Sequence, residues 1–471
     1  MNVRASPEFI QHLVLVFGSQ MLVLVSGLIK ALIVPLFLGV EDFGYWQIYI
    51  FYVAYIGIFS IGYNDGIYLK YGGYRLENLP IDRIRSSNAI YLALLVIATI
   101  VTLIITMQVS NPYRQLVFLA VAANIVVLGI INNVLISLQS VNRLRGFAFL
   151  NSADKIFFTL SLLALFTREL QTFWFLILVD LFAKVLVLAL LLFQYREFYL
   201  GSFTSVADAL NEFTENVHSG VQLMLANFTG MLTLGAGRII LEYFGTLKSY
   251  AFYALATSLA NVILICVSAL SYVIYPNLKQ QDRSAYLAYF NRTNAGYSIF
   301  AILMLTGYYP AAAFILIMAT SYVPVLDFLN VVFVIIILQG KMQLLNNTFY
   351  AALRLEGRML VVNVASFLIA VTLSSIVYLL SQSLLMVSYA TLLTMLFRVY
   401  ASEYFLRRQM GGKFNFMNVL EITALAGFLI LTTFTLPSIG FPLWSLALAV
   451  VAMIYHRHIA SGWQRFLDRC K

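Results

Sequence analysis

The chain has 471 residues, of which 62% are apolar and only 10% are charged, and its formal net charge is +9. A soluble protein carries about 25% charged residues, so this composition excludes a soluble protein and predicts a chain embedded almost entirely in a membrane. The basic excess does not indicate nucleic acid as a partner, because the cations cluster at the edges of apolar segments, where anionic membrane lipids are their ordinary partners.

Apolar segments of about 20 residues or more, the length that a transmembrane helix needs, recur along the whole chain. They are continuous rather than alternating, so they predict helices and not strands. We therefore predict an all-α polytopic membrane protein with about fourteen transmembrane spans. The expected spans cover residues 10–38, 44–66, 87–109, 113–137, 147–167, 171–195, 217–241, 250–276, 294–319, 328–350, 358–381, 384–406, 418–436 and 441–459.

The distribution of Lys and Arg predicts the orientation of these spans. Twenty of the 29 cations fall in every second gap between spans, whereas the intervening gaps hold only Arg114, Arg168 and Lys248. Cytoplasmic loops retain Lys and Arg because positive flanks resist translocation. Both termini are therefore expected in the cytoplasm.

The longest predicted cytoplasmic gap follows the sixth span and divides the chain. Lys30 and Arg238 each precede a glycine-containing turn that leads into a tyrosine-rich helix, and this weak internal echo favours two pseudo-symmetric six-helix lobes. Repeated lobes are the organisation of many secondary transporters. The expected parts are an N-terminal lobe, a cytoplasmic amphipathic linker helix, a C-terminal lobe, and spans 13 and 14 with a cytoplasmic tail: 1–196, 197–216, 217–408 and 409–471.

Charged side chains inside the expected spans are the strongest indication of function, because one charge at mid-bilayer costs about 2.5–3.5 kcal/mol. We single out six cations and three acids there: Lys30, Lys155, Lys184, Arg238, Lys341, Arg398, Asp65, Asp154 and Asp180. We expect them to face a wet cavity or one another. The excess of cations predicts a cavity that attracts an anion, and phosphate is the anion that Lys and Arg side chains recognise best.

Substrate binding is predicted for five of these cations and for three tyrosines that share one face of span 2: Lys30, Lys184, Arg238, Lys341, Arg398, Tyr45, Tyr49 and Tyr52. Alternatives remain open for several of them. Asp180 and Lys184 are four residues apart and can pair on one helix face, Asp154 and Lys155 can form an interfacial pair, and Arg238 can extend to the membrane surface. The tyrosines suit the C–H faces of sugars, but an aromatic belt with ordinary packing is the alternative.

Asp65, Asp154 and Asp180 are the candidates for coupling to a proton or a sodium ion, because protonation changes the cost of a buried carboxylate. For Asp65, which ends span 2, the alternative is a role in shaping a turn. No cofactor and no metal site is predicted, since Cys266 and Cys470 form no ligand spacing.

Two motifs near the N-terminus resemble the signature of the polysaccharide transporter family, the O-antigen and capsule flippases of bacteria. One is Leu38-Gly39-Val40-Glu41-Asp42-Phe43-Gly44-Tyr45, and the other is Ile61-Gly62-Tyr63-Asn64-Asp65-Gly66-Ile67. That family belongs to the multidrug/oligosaccharidyl-lipid/polysaccharide (MOP) exporter superfamily. Family members commonly have an arginine just before the leucine-glycine pair, where this chain has Val34-Pro35-Leu36-Phe37, so we expect Lys30 to take the basic role.

The resemblance implies two six-helix lobes in a V around a central cavity, with two further helices at the C-terminus. It also implies a flippase that moves undecaprenyl-pyrophosphate-linked oligosaccharide across the bacterial cytoplasmic (inner) membrane by ion-coupled alternating access. The implied partners are the lipid-linked oligosaccharide, membrane lipids and other polysaccharide-assembly membrane proteins. No chemistry on the substrate is implied, so a transporter rather than an enzyme is predicted.

Three alternative functions stay open. A multidrug cation antiporter has the same fold, but the predicted cationic interior disfavours it. A flippase for a lipid-linked peptidoglycan precursor handles a closely related substrate. A membrane polysaccharide polymerase belongs to another functional class, and such an enzyme usually sets its catalytic groups in a long external loop, whereas no predicted external gap here exceeds about ten residues.

Overall fold

The computed structural model describes residues 7–449, except 75, 142, 166–171, 280–281 and 414–415. Over this part of the chain the regular structure is helical, and no strand occurs. The α-helices are α1 Pro7–Phe37, α2 Val40–Ala54, α3 Tyr63–Tyr71, α4 Ile81–Thr106, α5 Pro112–Ser140, α6 Leu144–Leu165, α7 Phe173–Gln194, α8 Val206–Phe244, α9 Leu247–Lys279, α10 Tyr286–Met304, α11 Tyr308–Ile317, α12 Leu326–Lys341, α13 Asn347–Leu353, α14 Glu356–Ser381, α15 Leu384–Gln409, α16 Phe416–Phe434 and α17 Pro437–Ala449.

These helices confirm the prediction of an all-α polytopic membrane protein. Among the described residues, nine helical segments are long and apolar enough to cross a membrane, and a bent helix pair raises that number to ten. Each of the fourteen expected spans overlaps one of the helices or a broken helix. Only the start of the last expected span is described, and residues 450–471 with their basic tail lie outside the described part of the chain.

The second expected span is broken rather than straight. Helix α2 is followed by a 3₁₀ turn over Ile56–Ser60, and α3 leaves this turn at an angle of 61° to α2. The chain turns at Gly62, whose φ of +90° lies in the left-handed region that glycine adopts without strain. A single helix over 44–66 was expected, and the apolar pattern gives no sign of this bend.

The linker differs from its prediction as well. Helix α8 begins at Val206, where the Ser205 side chain accepts a hydrogen bond from the backbone nitrogen of Asp208 at 3.1 Å, and it continues unbroken to Phe244. Residues 206–216 are therefore the first turns of α8, whereas a separate amphipathic helix was expected. The stretch contains no glycine or proline that would end a helix.

Two groups of helices form the body of the protein. Helices α1 to α7 pack on one another, α8 to α15 do the same, and α16 lies against α10 and α12. The two groups meet where α3 and α4 contact α8 and where α1 and α2 contact α9. We call α1–α7 the N-lobe and α8–α15 the C-lobe.

One polar contact recurs in both lobes. In the N-lobe, the Tyr49 hydroxyl on α2 donates to Asp180 on α7 at 2.8 Å. In the C-lobe, the Tyr253 hydroxyl on α9 donates to Thr391 on α15 at 3.4 Å. In each lobe a tyrosine of the second expected span therefore bonds the sixth.

Candidate functional site

A buried polar cluster lies in the N-lobe among α1, α2, α5 and α7. Its centre is Asp180, whose Oδ2 accepts hydrogen bonds from the Tyr49 hydroxyl at 2.8 Å and from the Lys184 ammonium. The Lys30 Nζ on α1 lies 3.8 Å from Asp180 Oδ1. Asn124 on α5 donates to the Tyr49 hydroxyl at 2.9 Å, which fixes the phenol against the carboxylate. We call these five residues the Asp180 cluster.

The Asp180 cluster carries one more positive than negative charge, because Lys30 and Lys184 share a single carboxylate. Lys184 and Asp180 are buried, whereas the Lys30 side chain is 27% exposed and its Nζ lies 3.9 Å from the centre of the Phe158 ring. Lys30 is therefore the most exposed member of the cluster. Its contact with Phe158 is a cation–π interaction.

Asp154 and Lys155 on α6 lie beside this cluster but pair with each other. The Lys155 Nζ lies 3.0 Å from Asp154 Oδ1 and also donates to the Asn151 carbonyl at 2.7 Å. Both side chains are partly exposed. The two charges therefore cancel locally. An interfacial pair of these two residues was one of the alternatives that the sequence left open.

The C-lobe holds a second buried network. Lys341 on α12 is fully buried, and its Nζ lies 2.8 Å from Glu421 Oε2 on α16 and 3.2 Å from Glu403 Oε2 on α15. Glu403 Oε1 in turn accepts a hydrogen bond from Arg407 Nε at 2.6 Å. Two cations and two carboxylates balance, so this network is neutral and faces no open space.

Buried acids that were not predicted change the balance of charge inside the protein. The sequence interpretation set six interior cations against three acids, but Glu242, Glu403 and Glu421 are also buried within helices. Lys341 was expected to bind substrate, and it has no acid within four residues in the sequence. Its two carboxylate partners come from other helices, and this position gives Lys341 no exposed face for a substrate.

Arg398 is buried without a carboxylate partner among the described residues. Its Nε donates to Asn363 Oδ1 on α14 at 2.8 Å, and its Nη1 donates to Gln339 Oε1 on α12 at 2.9 Å. Two neutral amides satisfy part of the guanidinium but do not cancel its charge. A buried uncompensated cation is costly, which makes Arg398 a functional candidate.

Arg238 on α8 lies at the interface between the lobes. Its Nε donates to Thr257 Oγ1 at 3.0 Å, its Nη2 donates to the Ala254 carbonyl at 3.1 Å, and its guanidinium lies 6.0 Å from the centre of the Phe51 ring on α2. Over the described residues no carboxylate oxygen comes within 4 Å of it, including that of Glu242 one turn further along α8.

An apolar cavity of about 420 Å³ lies between the lobes, and we call it the interlobe cavity. Arg238 is not one of its lining residues, but its guanidinium lies 6.0 Å from the centre of the ring of Phe51, which is. Ile105, which is 59% exposed, is one of its lining residues, so the cavity reaches the surface of the helical bundle. The walls come from both lobes and are rich in aromatic rings. Lining residues include Phe51, Tyr52, Tyr55, Phe59, Phe118 and Phe228.

The three tyrosines predicted on one face of span 2 have three different surroundings. Tyr52 lines the interlobe cavity, and Tyr49 belongs to the Asp180 cluster. The Tyr45 ring packs against Tyr113 and Phe173, with ring centres 5.6 and 5.0 Å away. The structure does not bring the three phenols to a common surface.

The lobes are in contact at both ends of the bundle. At the predicted cytoplasmic end, the Lys70 Nζ on α3 lies 2.9 Å from Glu212 and 2.8 Å from Glu215 on α8. At the predicted external end, the Lys248 Nζ on α9 lies 3.6 Å from Glu41 on α2. Each ion pair joins one lobe to the other, so this conformation is closed at both ends.

Asp65, the remaining predicted acid, lies in the first turn of α3, next to the closed cytoplasmic contact and away from the Asp180 cluster.

Among the acids that sequence reasoning missed, two carry a detectable signal. Glu242 and Glu403 each lie four residues from an arginine of the same helix, Arg238 and Arg407. An acid inside a span costs as much as a cation, so Glu403, within the expected span 384–406, is as strong an indication as the predicted cations. Glu421 has no such neighbour.

No family model matches the chain, and no curated protein matches it. Among solved structures, the chain is similar to the lipid II flippase MurJ in its inward closed conformation, with a TM-score of 0.68, 13% identity, and coverage of 96% of this chain and 100% of that one. It is also similar to a multidrug resistance MATE family transporter of the MOP superfamily in its inward-facing conformation, with a TM-score of 0.58, 13% identity, and coverage of 84% and 94%. An outward-facing conformation of a multidrug resistance MATE family transporter gives a TM-score of 0.56 at 10% identity, with coverage of 85% and 95%.

Such identities establish the fold alone. The chain has the fold of the MOP exporters, and this is the fold that the resemblance of the N-terminal motifs implied.

Proposed function

We propose that this MOP-fold membrane protein is a flippase for undecaprenyl-pyrophosphate-linked oligosaccharide in the bacterial cytoplasmic membrane. The observation that carries the proposal is the position of Arg238, which has no carboxylate partner within 4 Å among the described residues. Its guanidinium lies 6.0 Å from the centre of the ring of Phe51, a lining residue of the apolar interlobe cavity. A lipid-linked sugar pyrophosphate combines an anionic group with an isoprenoid chain. A cation next to an apolar opening at the bundle surface suits both parts of that molecule.

Further cations extend the anion path. Lys30 is the most exposed member of the Asp180 cluster, Lys184 lies beneath it, and Arg398 offers an uncompensated charge in the C-lobe. We assign these three to pyrophosphate or acidic sugars and Tyr52 to the part of the substrate in the cavity. Lys341 is assigned to the neutral C-lobe network instead, because it is fully buried between two glutamates.

The transport cycle moves a polar headgroup across about 30 Å of hydrocarbon. In the proposed cycle the headgroup enters between the lobes. The isoprenoid chain passes out through the interlobe cavity and stays in the surrounding lipid. The lobes then rock so that one end opens at a time. Opening the predicted cytoplasmic end separates Lys70 from Glu212, and opening the other end separates Lys248 from Glu41.

Asp180 is the proposed coupling group. Its single carboxylate holds both Lys30 and Lys184. A proton on Asp180 removes the negative charge, so that both ammonium groups become available to an anion, and proton entry favours substrate binding. Two ammonium groups within 4 Å of this carboxylate disfavour a sodium ion at the same place.

The deciding experiment uses a deletion strain that expresses the chain or its variants. Loss of the protein is expected to make polyprenyl-linked oligosaccharide accumulate in lipid extracts, with its sugar on the cytoplasmic side. Arg238→Ala, Lys30→Ala and Arg398→Ala are each expected to lower surface polysaccharide at equal protein level, and Arg238→Lys keeps the charge as a control. Wild-type output from all three alanine variants would overturn the proposal.

A flippase for a lipid-linked peptidoglycan precursor is the second candidate, because the similarity to the lipid II flippase structure extends over 96% of this chain. Rescue of a strain depleted of its lipid II flippase would favour that substrate. Resistance to cationic dyes on overexpression would instead favour a multidrug antiporter. If the protein is instead a polysaccharide polymerase, the deletion strain is expected to carry single repeat units on its cell surface.

A further inference from the structure

A basic cleft lies between α14 and α15 at the predicted cytoplasmic end, away from the interface between the lobes. Its volume is about 660 Å³. Residues from the first turns of α14 and the last turns of α15 form it: Gly357, Arg358, Val361, Val362, Phe405, Arg408 and Gln409. It contains none of the residues assigned to transport above.

The cleft carries two positive charges and no negative one. Arg358 and Arg408 are both exposed, and Arg358 Nη1 donates to Gln409 Oε1 at 2.9 Å, which draws the ends of the two helices together. Over the described residues neither arginine has a carboxylate oxygen within 4 Å. The nearby Glu356 faces Arg354 instead, at 4.0 Å. Two guanidinium groups therefore remain available to one anion.

Apolar side chains lead from the cleft into the predicted membrane region. On α14, Val361 is 67% exposed and Leu368 is 59% exposed, seven residues apart on the same face. On α15, Phe405 is 37% exposed and Phe397 is 45% exposed, eight residues apart. Residues at these spacings lie on one side of a helix. The two stripes run from the arginines towards mid-membrane and suit acyl chains.

We propose that this cleft binds one anionic phospholipid, with its phosphate between Arg358 and Arg408 and its acyl chains along α14 and α15. Basic pockets between helices at the cytoplasmic side of a membrane are suited to such headgroups. The apolar stripes select a lipid over a free phosphate ion. The lipid links α14 to α15 and so stabilises the C-lobe, whichever substrate the protein moves.

The test uses the purified full chain and phosphatidylglycerol, with phosphatidylcholine as the uncharged counterpart. Binding is followed by native mass spectrometry and by the lipid-dependent rise in unfolding temperature. The double variant Arg358→Gln/Arg408→Gln is expected to lose about 30-fold in apparent affinity for phosphatidylglycerol. The matched control is Arg143→Gln/Arg354→Gln, which removes two exposed cations of the same predicted end outside the cleft.

The expected pattern is lost binding in the cleft variant, unchanged binding in the control, and no effect of phosphatidylcholine on any form. Equal phosphatidylglycerol affinity in all three proteins would overturn the proposal. Equal stabilisation of the wild type by inorganic phosphate alone would show an anion site that needs no lipid, which would contradict the proposal. Displacement of the bound lipid by undecaprenyl phosphate would assign the cleft to the substrate path and equally contradict the proposal.

Discussion

Gly66 on α3 and Gly220 on α8 bring the two lobes into direct backbone contact. A Cβ atom added to Gly220 would lie 2.3 Å from the Gly66 nitrogen and 2.1 Å from the Gly62 carbonyl oxygen. A Cβ added to Gly66 would lie 1.9 Å from the Asn216 carbonyl oxygen. Because backbone atoms cannot move aside as side chains do, only glycine permits this closure.

This contact predicts the effect of the smallest substitution. Gly220→Ala favours an isolated helix by about 1 kcal/mol, yet it is expected to hold the predicted cytoplasmic end apart. Spin labels at the exposed positions Tyr74 and Leu210 are expected to report a longer distance than in the wild type, and transport is expected to fall. Gly427→Ala on α16 is the control, because nothing lies within 4 Å of a Cβ there. An unchanged distance in Gly220→Ala would show that the contact does not close the lobes.

The two interlobe ion pairs are expected to differ in strength. Lys248 and Glu41 are each 63% exposed, so Lys248→Ala is expected to change the closing equilibrium by about 0–1 kcal/mol. Lys70 meets Glu212, which is only 5% exposed, and Lys70→Ala is expected to favour the open cytoplasmic end by about 1.5–3 kcal/mol. Spin-label distances at both ends measure the shift. High salt is expected to weaken the Lys248 pair first. Equal effects of the two variants would contradict this ranking.

Asp180→Asn tests the coupling group. The change removes the negative charge between Lys30 and Lys184 while keeping the shape of the side chain, so transport is expected to lose its dependence on the proton gradient. An ionophore titration of surface polysaccharide output measures this dependence. Asp154→Asn is the matched control, since its carboxylate contacts only the adjacent Lys155 in the described ion pairs. If Asp180→Asn responds to the ionophore as the wild type does, this residue does not couple.

Lys341 is expected to act on stability and not on substrate. Lys341→Ala leaves two buried glutamates without their shared cation, which is expected to cost about 3–5 kcal/mol. The double variant Lys341→Leu/Glu421→Leu removes one charge of each sign and keeps the Glu403–Arg407 pair, so it is expected to recover most of that loss. Thermal unfolding in detergent measures both variants. A double variant as unstable as the single one would exclude this assignment.

Local spacing in the sequence was enough to indicate two ion pairs of the N-lobe. The four-residue interval between Asp180 and Lys184 and the adjacency of Asp154 and Lys155 each allowed a pair, and both pairs form. The apolar segments located the helices, and the resemblance of the motifs near the N-terminus implied the fold. These features depend on helix periodicity and on the cost of burying charge. Both are properties of a single segment of sequence and do not require knowledge of how the segments pack.

The sequence by itself determined that this protein is a bundle of membrane helices with charges inside it, because hydrophobic length and charge cost act segment by segment. Only the tertiary structure decided which charges meet. Lys341 and Glu421 are 80 residues apart in the chain and 2.8 Å apart in space, and the backbone contact of Gly66 with Gly220 joins different lobes. Such meetings depend on how whole helices pack, and packing is set by the shapes of many side chains together rather than by the pattern of any one helix.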